Sequence, residues 1–315
     1  MKSFLIENVT AYRAIECHGG PALRVEVSLS NGTSGSAIGV LLGTEIETAL
    51  KTVNEKIAGE LVGEDARLQT RIDSLLKDLD GTRDLSHLRP EILFTISMAV
   101  CKVAAASVGL APYRYLGGLR SAFLPRPIFA MEWTTRNNNH EILIIPSRHS
   151  TLTEGIEKCR QVFEKLVPLI SETSRGSDTE KRLQKMIEQI RDSNEYCGIG
   201  VALDQTNPTD ETGNGESKRI LNSLPSLSFD ESCVFALEKT SLISDIFNAA
   251  TRYAGRIHVV VPFNKFHGLE TLAADIPVAL GAEYIKLESF SSYLTICQLN
   301  RLLRLEDEFD IHLKL

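Results

Sequence analysis

Five side chains in the second half of the chain have the types and placement for polar chemistry. Asp204 closes the apolar run GIGVALD, Glu141 sits in HEILIIP, Lys286 in EYIKL, and Lys265 and His267 follow RIHVVVPF. Carboxylates at strand ends can move a proton or ligate a hard cation, and lysine or histidine can meet an anion. Together the five could form a polar cluster that binds a small anionic metabolite. Each also has a plainer role. Asp204 precedes Thr206 and Pro208, the setting of an Asx-turn, and Asp204, Glu141 and Lys286 could serve only as an ion-pair network. Zinc is disfavoured by spacing. The six cysteines (Cys17, Cys101, Cys159, Cys197, Cys233, Cys297) include no Cys-x-x-Cys pair, and His140 and His149 lack helical ligand spacing. They read as reduced, mostly buried thiols.

Composition narrows the class further. The 315 residues carry a formal charge of −7, the wrong sign for a nucleic-acid surface. No apolar run is expected to reach the ~18–20 residues of a membrane span. The opening MKSFLIENVTAYRAIE turns polar at Glu7 and Asn8, too early for a signal-peptide core. The expectation is a cytoplasmic protein without nucleic-acid or membrane partners.

Those five residues must be positioned by the elements around them. Ala22 to Ser30 alternates apolar and polar residues before an Asn31-Gly32 turn, which predicts strands in a meander. Helical spacing runs over 46–62 and 64–80, the second stopping at Asp80-Gly81. Pro90 opens EILFTISMAVCKVAAASVGL, a nearly all-apolar helix ended by Gly109 and Pro112 and expected to be buried. The texture changes near LPRP (124–127), so we read domains at 1–123 and 124–315. Beyond it come strands at 142–145, 198–204, 233–238, 256–263 and 283–287. They alternate with helices at 151–173, 177–191, 241–255, 269–280 and 292–306. Repeated strand–helix units predict a parallel sheet or barrel. Residues 207–228 read as a polar loop.

Several segments, in order, resemble the enolase (phosphopyruvate hydratase) family. AIECHGGPALRVEV (14–27) is similar to D-S-R-G-N-P-T-x-E-V-E-V, Leu79-Asp80-Gly81-Thr82 matches L-D-G-T, and Leu124-Pro125-Arg126-Pro127 resembles L-P-V-P. Asp275 to Lys286 resembles the stretch ending Q-I-K-T-G, and the likeness runs on to Asp307 through QLNRLLRLED. The resemblance implies an α+β capping domain followed by an α/β, eight-stranded β/α barrel. It implies dehydration of 2-phosphoglycerate to phosphoenolpyruvate by a lysine base and two magnesium ions, at the carboxyl ends of the barrel strands.

Matched residue by residue, most of that machinery is missing. Asp204 falls on the first of three magnesium carboxylates, and the strands bearing the other two have no counterpart in the 29 residues between Asp204 and Val234. One carboxylate is a poor match for a hard divalent ion. The base position falls on Ala236, with Lys239 three residues later, and the phosphate-gripping arginine falls on Asn264. The serine lid would lie near 38–47, where Val40, Leu41 and Leu42 stand instead. Glu141 and Lys286 keep family positions, although Glu288 replaces a neighbouring glycine. From Leu124 onward 192 residues remain, against ~250 for a typical barrel, so about two β/α units are expected to be missing. The sequence thus leans towards an enolase-like pseudoenzyme, with no catalytic residue and no cofactor expected, acting as a structural or interaction module. Its expected partners are proteins: a second copy, or an assembly such as a cytoskeletal or axonemal one. The alternative is a residual or altered enzyme of the phosphopyruvate hydratase type, or a small-anion binder.

Overall fold

The computed structural model describes residues 3–16, 19–41, 43–120, 123–134, 139–146, 151–172, 182, 185–190, 199–206, 234–236, 242–251, 259–261 and 271–309. Two compact units emerge. The first takes in Met1–Phe123, Ala236–Gly255 and Pro262–Gly281; the second takes in Leu124–Phe235, Arg256–Val261 and Ala282–Leu315.

The first unit begins with an antiparallel meander, β1 (Ile6–Ile15), β2 (Pro21–Leu29) and β3 (Ser34–Val40), in the order β1-β2-β3. The alternation read in β2 has a physical outcome: Leu23, Val25, Val27 and Leu29 are buried, while Arg24 is exposed. The β2–β3 turn uses Gly32 at φ 83°, and Asn31 Oδ1 accepts the Thr33 amide at 2.9 Å. The chain continues through α1 (Ile46–Lys51), a π-helical turn (Thr52–Ile57) and α2 (Ala58–Leu61), then α3 (Gln69–Asp80), α4 (Pro90–Ser107) and α5 (Pro112–Gly117). Helix α3 starts at Gln69 rather than 64, because residues 63–66 instead bond to the start of β1. It ends where expected, with Gly81 in the left-handed conformation at φ 71°.

Helix α4 is the axis of this unit, and it corrects one expectation. It is long and apolar enough to cross a membrane, but 78% of it is buried inside the fold. It lies on β2 and β3 through glycines: a Cβ on Gly35 would come within 2.7 Å of the Val103 amide nitrogen. Two helices from late in the sequence complete the unit. α7 (Ile243–Thr251) packs on α3 and α4, and α8 (Leu272–Leu280) packs on α5.

The second unit holds a six-stranded sheet in the order β6-β5-β4-β9-β8-β7. The strands are β4 (Arg126–Thr134), β5 (Asn139–Pro146), β6 (Ile199–Thr206), β7 (Val234–Ala236), β8 (Val259–Val261) and β9 (Tyr284–Leu287). β4 and β9 are parallel, as are β8 and β9, but β5 runs antiparallel to both β4 and β6. The all-parallel expectation fails there because β4 and β5 are too close in sequence for a crossover helix and form a hairpin. α6 (Leu152–Glu172) lies against β4 and β5, its first turn capped by Thr151 Oγ1, which accepts the Glu154 amide at 3.1 Å. α9 (Tyr293–Phe309) closes the unit, and Glu306 Oε1 accepts the Leu152 amide at 2.6 Å.

Candidate functional site

The strand ladder of the second unit decides which of the five chemical residues meet. β5 is antiparallel to β6 with Glu141 opposite Asp204, so the two predicted carboxylate positions are cross-strand neighbours. On its other side β5 sets Glu141 opposite Glu132 of β4. The register thus lines up three acidic positions, Glu132, Glu141 and Asp204, in one row over three consecutive strands. Facing positions on neighbouring strands lie about 4.5–5.5 Å apart.

Lys286 lies elsewhere in the same sheet. It is half-buried in β9, opposite Ile128 of β4, and is therefore on the strand next to β4 but four residues before the level of Glu132. The neighbouring register position, Phe129 opposite Leu287, belongs to an aromatic group. Phe129 stacks on Phe290 at 4.1 Å between ring centroids, and Phe163 meets Phe290 edge-on at 5.4 Å. Tyr284, two residues before Lys286, is buried. Burial pushes its phenol up, and the Arg126 guanidinium, 4.8 Å from its ring centroid, works in the opposite direction. Lys265, His267, Lys239 and Asn264 lie outside the described residues. Ala236, where the resemblance would place the lysine base, is the last residue of β7.

Glu132 is the residue that sequence reasoning missed. IFAMEW offered a signal, an acid inside an apolar run, but without the β4–β5 register nothing tied it to Glu141. The family's cation, magnesium, prefers hard oxygen ligands. Only Asp204 in the row stands where the resemblance assigns a metal ligand. Among the described residues no group of three or more His, Cys, Asp or Glu is arranged to hold a metal.

The first unit places its polar groups differently. Asp73 of α3 is fully buried and accepts three hydrogen bonds: from Ser97 Oγ at 2.7 Å, Gln69 Nε2 at 2.9 Å and the Ser244 amide at 2.8 Å. Burial pushes its carboxyl up, while the bonds from Ser244, Ser97 and Gln69 pull it back. Ser97 Oγ also accepts the Ile243 amide at 3.1 Å, and Lys77 pairs with Asp245 at 2.5 Å, so α7 is held at its start by α3 and α4. Asp80 closes the following loop, accepting the Leu88 amide at 2.6 Å and the Thr82 amide at 3.0 Å. These are framework contacts that satisfy helix starts and turns.

Comparison with known proteins fits this framework. A family model described as the enolase N-terminal domain matches residues 39–116, the stretch from the end of β3 through α5. The chain is 34% identical over 182 residues to the enolase of Campylobacter jejuni subsp. doylei, covering 50% of this chain and 44% of that protein. It is 31% identical over 183 residues to the enolase of Campylobacter lari, with the same coverage. It is 30% identical over 191 residues to the enolase of Metallosphaera sedula, covering 55% of this chain and 46% of that protein. The chain thus spans about half the length of the curated relatives it matches. Residues 39–116 thus match the enolase N-terminal domain, and over about half of its length the chain is similar to enolases.

Proposed function

We infer that this chain is an enolase-family pseudoenzyme, a structural or protein-interaction module that does not interconvert 2-phosphoglycerate and phosphoenolpyruvate. One observation carries the reading: β7 ends in Ala236, where the resemblance places the lysine that removes the carbon proton. An alanine methyl has no proton to exchange, and general-base catalysis alone is worth about 10²–10⁴ in rate. Two further observations support it. Five residues, Leu41–Glu45, connect β3 to α1, and Leu41 is buried, which is too short a connection for a serine lid. β6 and β7 stand at opposite ends of a six-strand order, in keeping with a barrel shortened by about two β/α units. The function then rests on contacts with protein, either a second copy or a larger assembly such as a cytoskeletal one, in the cytoplasm.

A second reading is an altered enzyme or small-anion binder, and the row Glu132–Glu141–Asp204 favours it. A hard cation held there could bridge to an anion. Calorimetry separates the two readings. Magnesium and 2-phosphoglycerate are titrated into the purified protein, separately and together, while phosphoenolpyruvate absorbance is followed. The pseudoenzyme reading expects neither saturable heat nor an absorbance change. Turnover would overturn it, and saturable binding without turnover would establish the second reading.

A further inference from the structure

β1 is at one end of its sheet, so one side of a ten-residue strand faces away from β2. Such an edge is a template for another strand unless something occupies it. The start of β1 is covered by chain: the Ile6 amide donates to Glu64 O at 2.8 Å, Ile6 O accepts the Gly63 amide at 2.9 Å, and Phe4 O accepts the Ala66 amide at 3.1 Å. The middle is covered by a single side chain. Asn54 Oδ1 accepts the Ala11 amide at 2.8 Å, and Asn54 Nδ2 donates to Ala11 O at 3.4 Å. A carboxamide presents one acceptor and one donor side by side, as a neighbouring strand would, so Asn54 imitates one residue of a fourth strand.

The sequence explains how a helix residue reaches the strand. Ala49, Val53, Ile57 and Leu61 recur every four residues, and all are completely buried. An α-helix, at 3.6 residues per turn, would rotate a four-residue repeat by about 40° per step and carry the stripe off its core within three steps. The wider π-helical turn at Thr52–Ile57 keeps all four inside. It leaves Asn54, next to the buried Val53, turned towards β1.

Beyond Ala11 no second clamp of this kind is found among the described residues. Arg13, the next residue facing outward, meets Glu47 through its side chain at 3.1 Å, and both side chains are mostly exposed. Tyr12 is 48% exposed and Ile15 is 69% exposed, an apolar flank that would favour a docked strand. We propose that Asn54 is an edge guard, which keeps β1 from pairing antiparallel with the β1 of a second copy. Antiparallel self-pairing is two-fold symmetric, so the species it prevents is a strand-paired dimer.

The test uses the full chain. In sedimentation velocity over a concentration series, Asn54→Ala should self-associate at least about tenfold more tightly than the parent. The Ala11 amide should exchange with solvent at least about tenfold faster in dilute Asn54→Ala, while the inward-facing Tyr12 amide stays protected. Asn54→Asp keeps the acceptor for the Ala11 amide and should behave like the parent. Self-association of Asn54→Ala no tighter than the parent's, or of Asn54→Asp equal to that of Asn54→Ala, overturns the proposal. Should Asn54→Ala fail to fold, the parent decides: the guard requires slower exchange at Ala11 than at Arg13, and equal rates sink it.

Discussion

Both units are built around buried strands and long helices, yet they use acidic residues in opposite ways. In the first unit Asp73 is isolated from other carboxylates and surrounded by donors: two side chains and the opening amide of α7. In the second, Glu132, Glu141 and Asp204 follow one another across three strands with no donor strand between them. The first arrangement spreads stability over many bonds. The second sets three acidic positions side by side in one register row. Under the proposed reading the framework outlasts the chemistry, because packing is distributed over dozens of side chains and catalysis over a handful.

The sharpest way to break this contrast is to remove the hub of the first unit. Asp73→Ala leaves the Ser244 amide, Ser97 and Gln69 without their buried acceptor and should cost about 3–5 kcal/mol, the range for stripping one partner from a buried charged network. Denaturant melts followed by far-UV circular dichroism read the loss. The only tryptophan, Trp133 in β4, reports on the second unit in the same experiment. Loss of the dichroism signal ahead of Trp133 fluorescence would show that the units melt apart.

Close approach gives the next effect. A Cβ on Gly117 would fall 2.4 Å from Ala279 O and 2.6 Å from its Cα, which are backbone atoms that a rotamer change cannot move. Gly117→Ala should force α5 and α8 apart at a cost of about 1–3 kcal/mol, measured by the same melts.

The two carboxylates of the first unit should respond oppositely to pH. The carboxyl of Asp73 is raised in the fold, so its contribution is complete below the ordinary carboxylate range and declines as pH rises through the raised value. Burial also disfavours the charge on Asp80, but bonds from Thr82 and the Leu88 amide outweigh it and hold its carboxyl below the ordinary value. The contribution of Asp80 is therefore present above that ordinary value and lost as pH falls through the lowered one. Asp80→Asn should remove part of the acid-side loss of stability, and Asp73→Asn should flatten the decline towards neutrality. Melting midpoints between pH 3 and 8 check both signs.

The smallest effect concerns the acidic row. Facing like charges cost about 0.2–1 kcal/mol, so Glu141→Gln should stabilise the second unit by that amount in magnesium-free buffer. If magnesium raises the Trp133 melting midpoint of the parent and not of Glu141→Gln, the row binds a cation, and the contrast between the units narrows.

Much of this was legible from residues alone. The alternation of β2, the Asn31-Gly32 turn, the stop of α3 at Gly81 and the burial of α4 follow from local periodicity and from glycine's access to positive φ. β4 was not legible, because PIFAMEW is apolar without alternation and its pairing partner comes from later in the chain. The π turn was hidden for a similar reason: a four-residue repeat passes for helical spacing until the core it must face is known. The site divided along the same line. The resemblance, read from ordered motifs, marked Asp204, Glu141 and Lys286 as the positions to watch and placed the family's base position at Ala236. Only the tertiary structure decided that Asp204 faces Glu141, that Glu132 joins them and that Asn54 reaches the β1 edge. Strand register and side-chain reach across an edge depend on residues distant in sequence, whose placement no local period encodes.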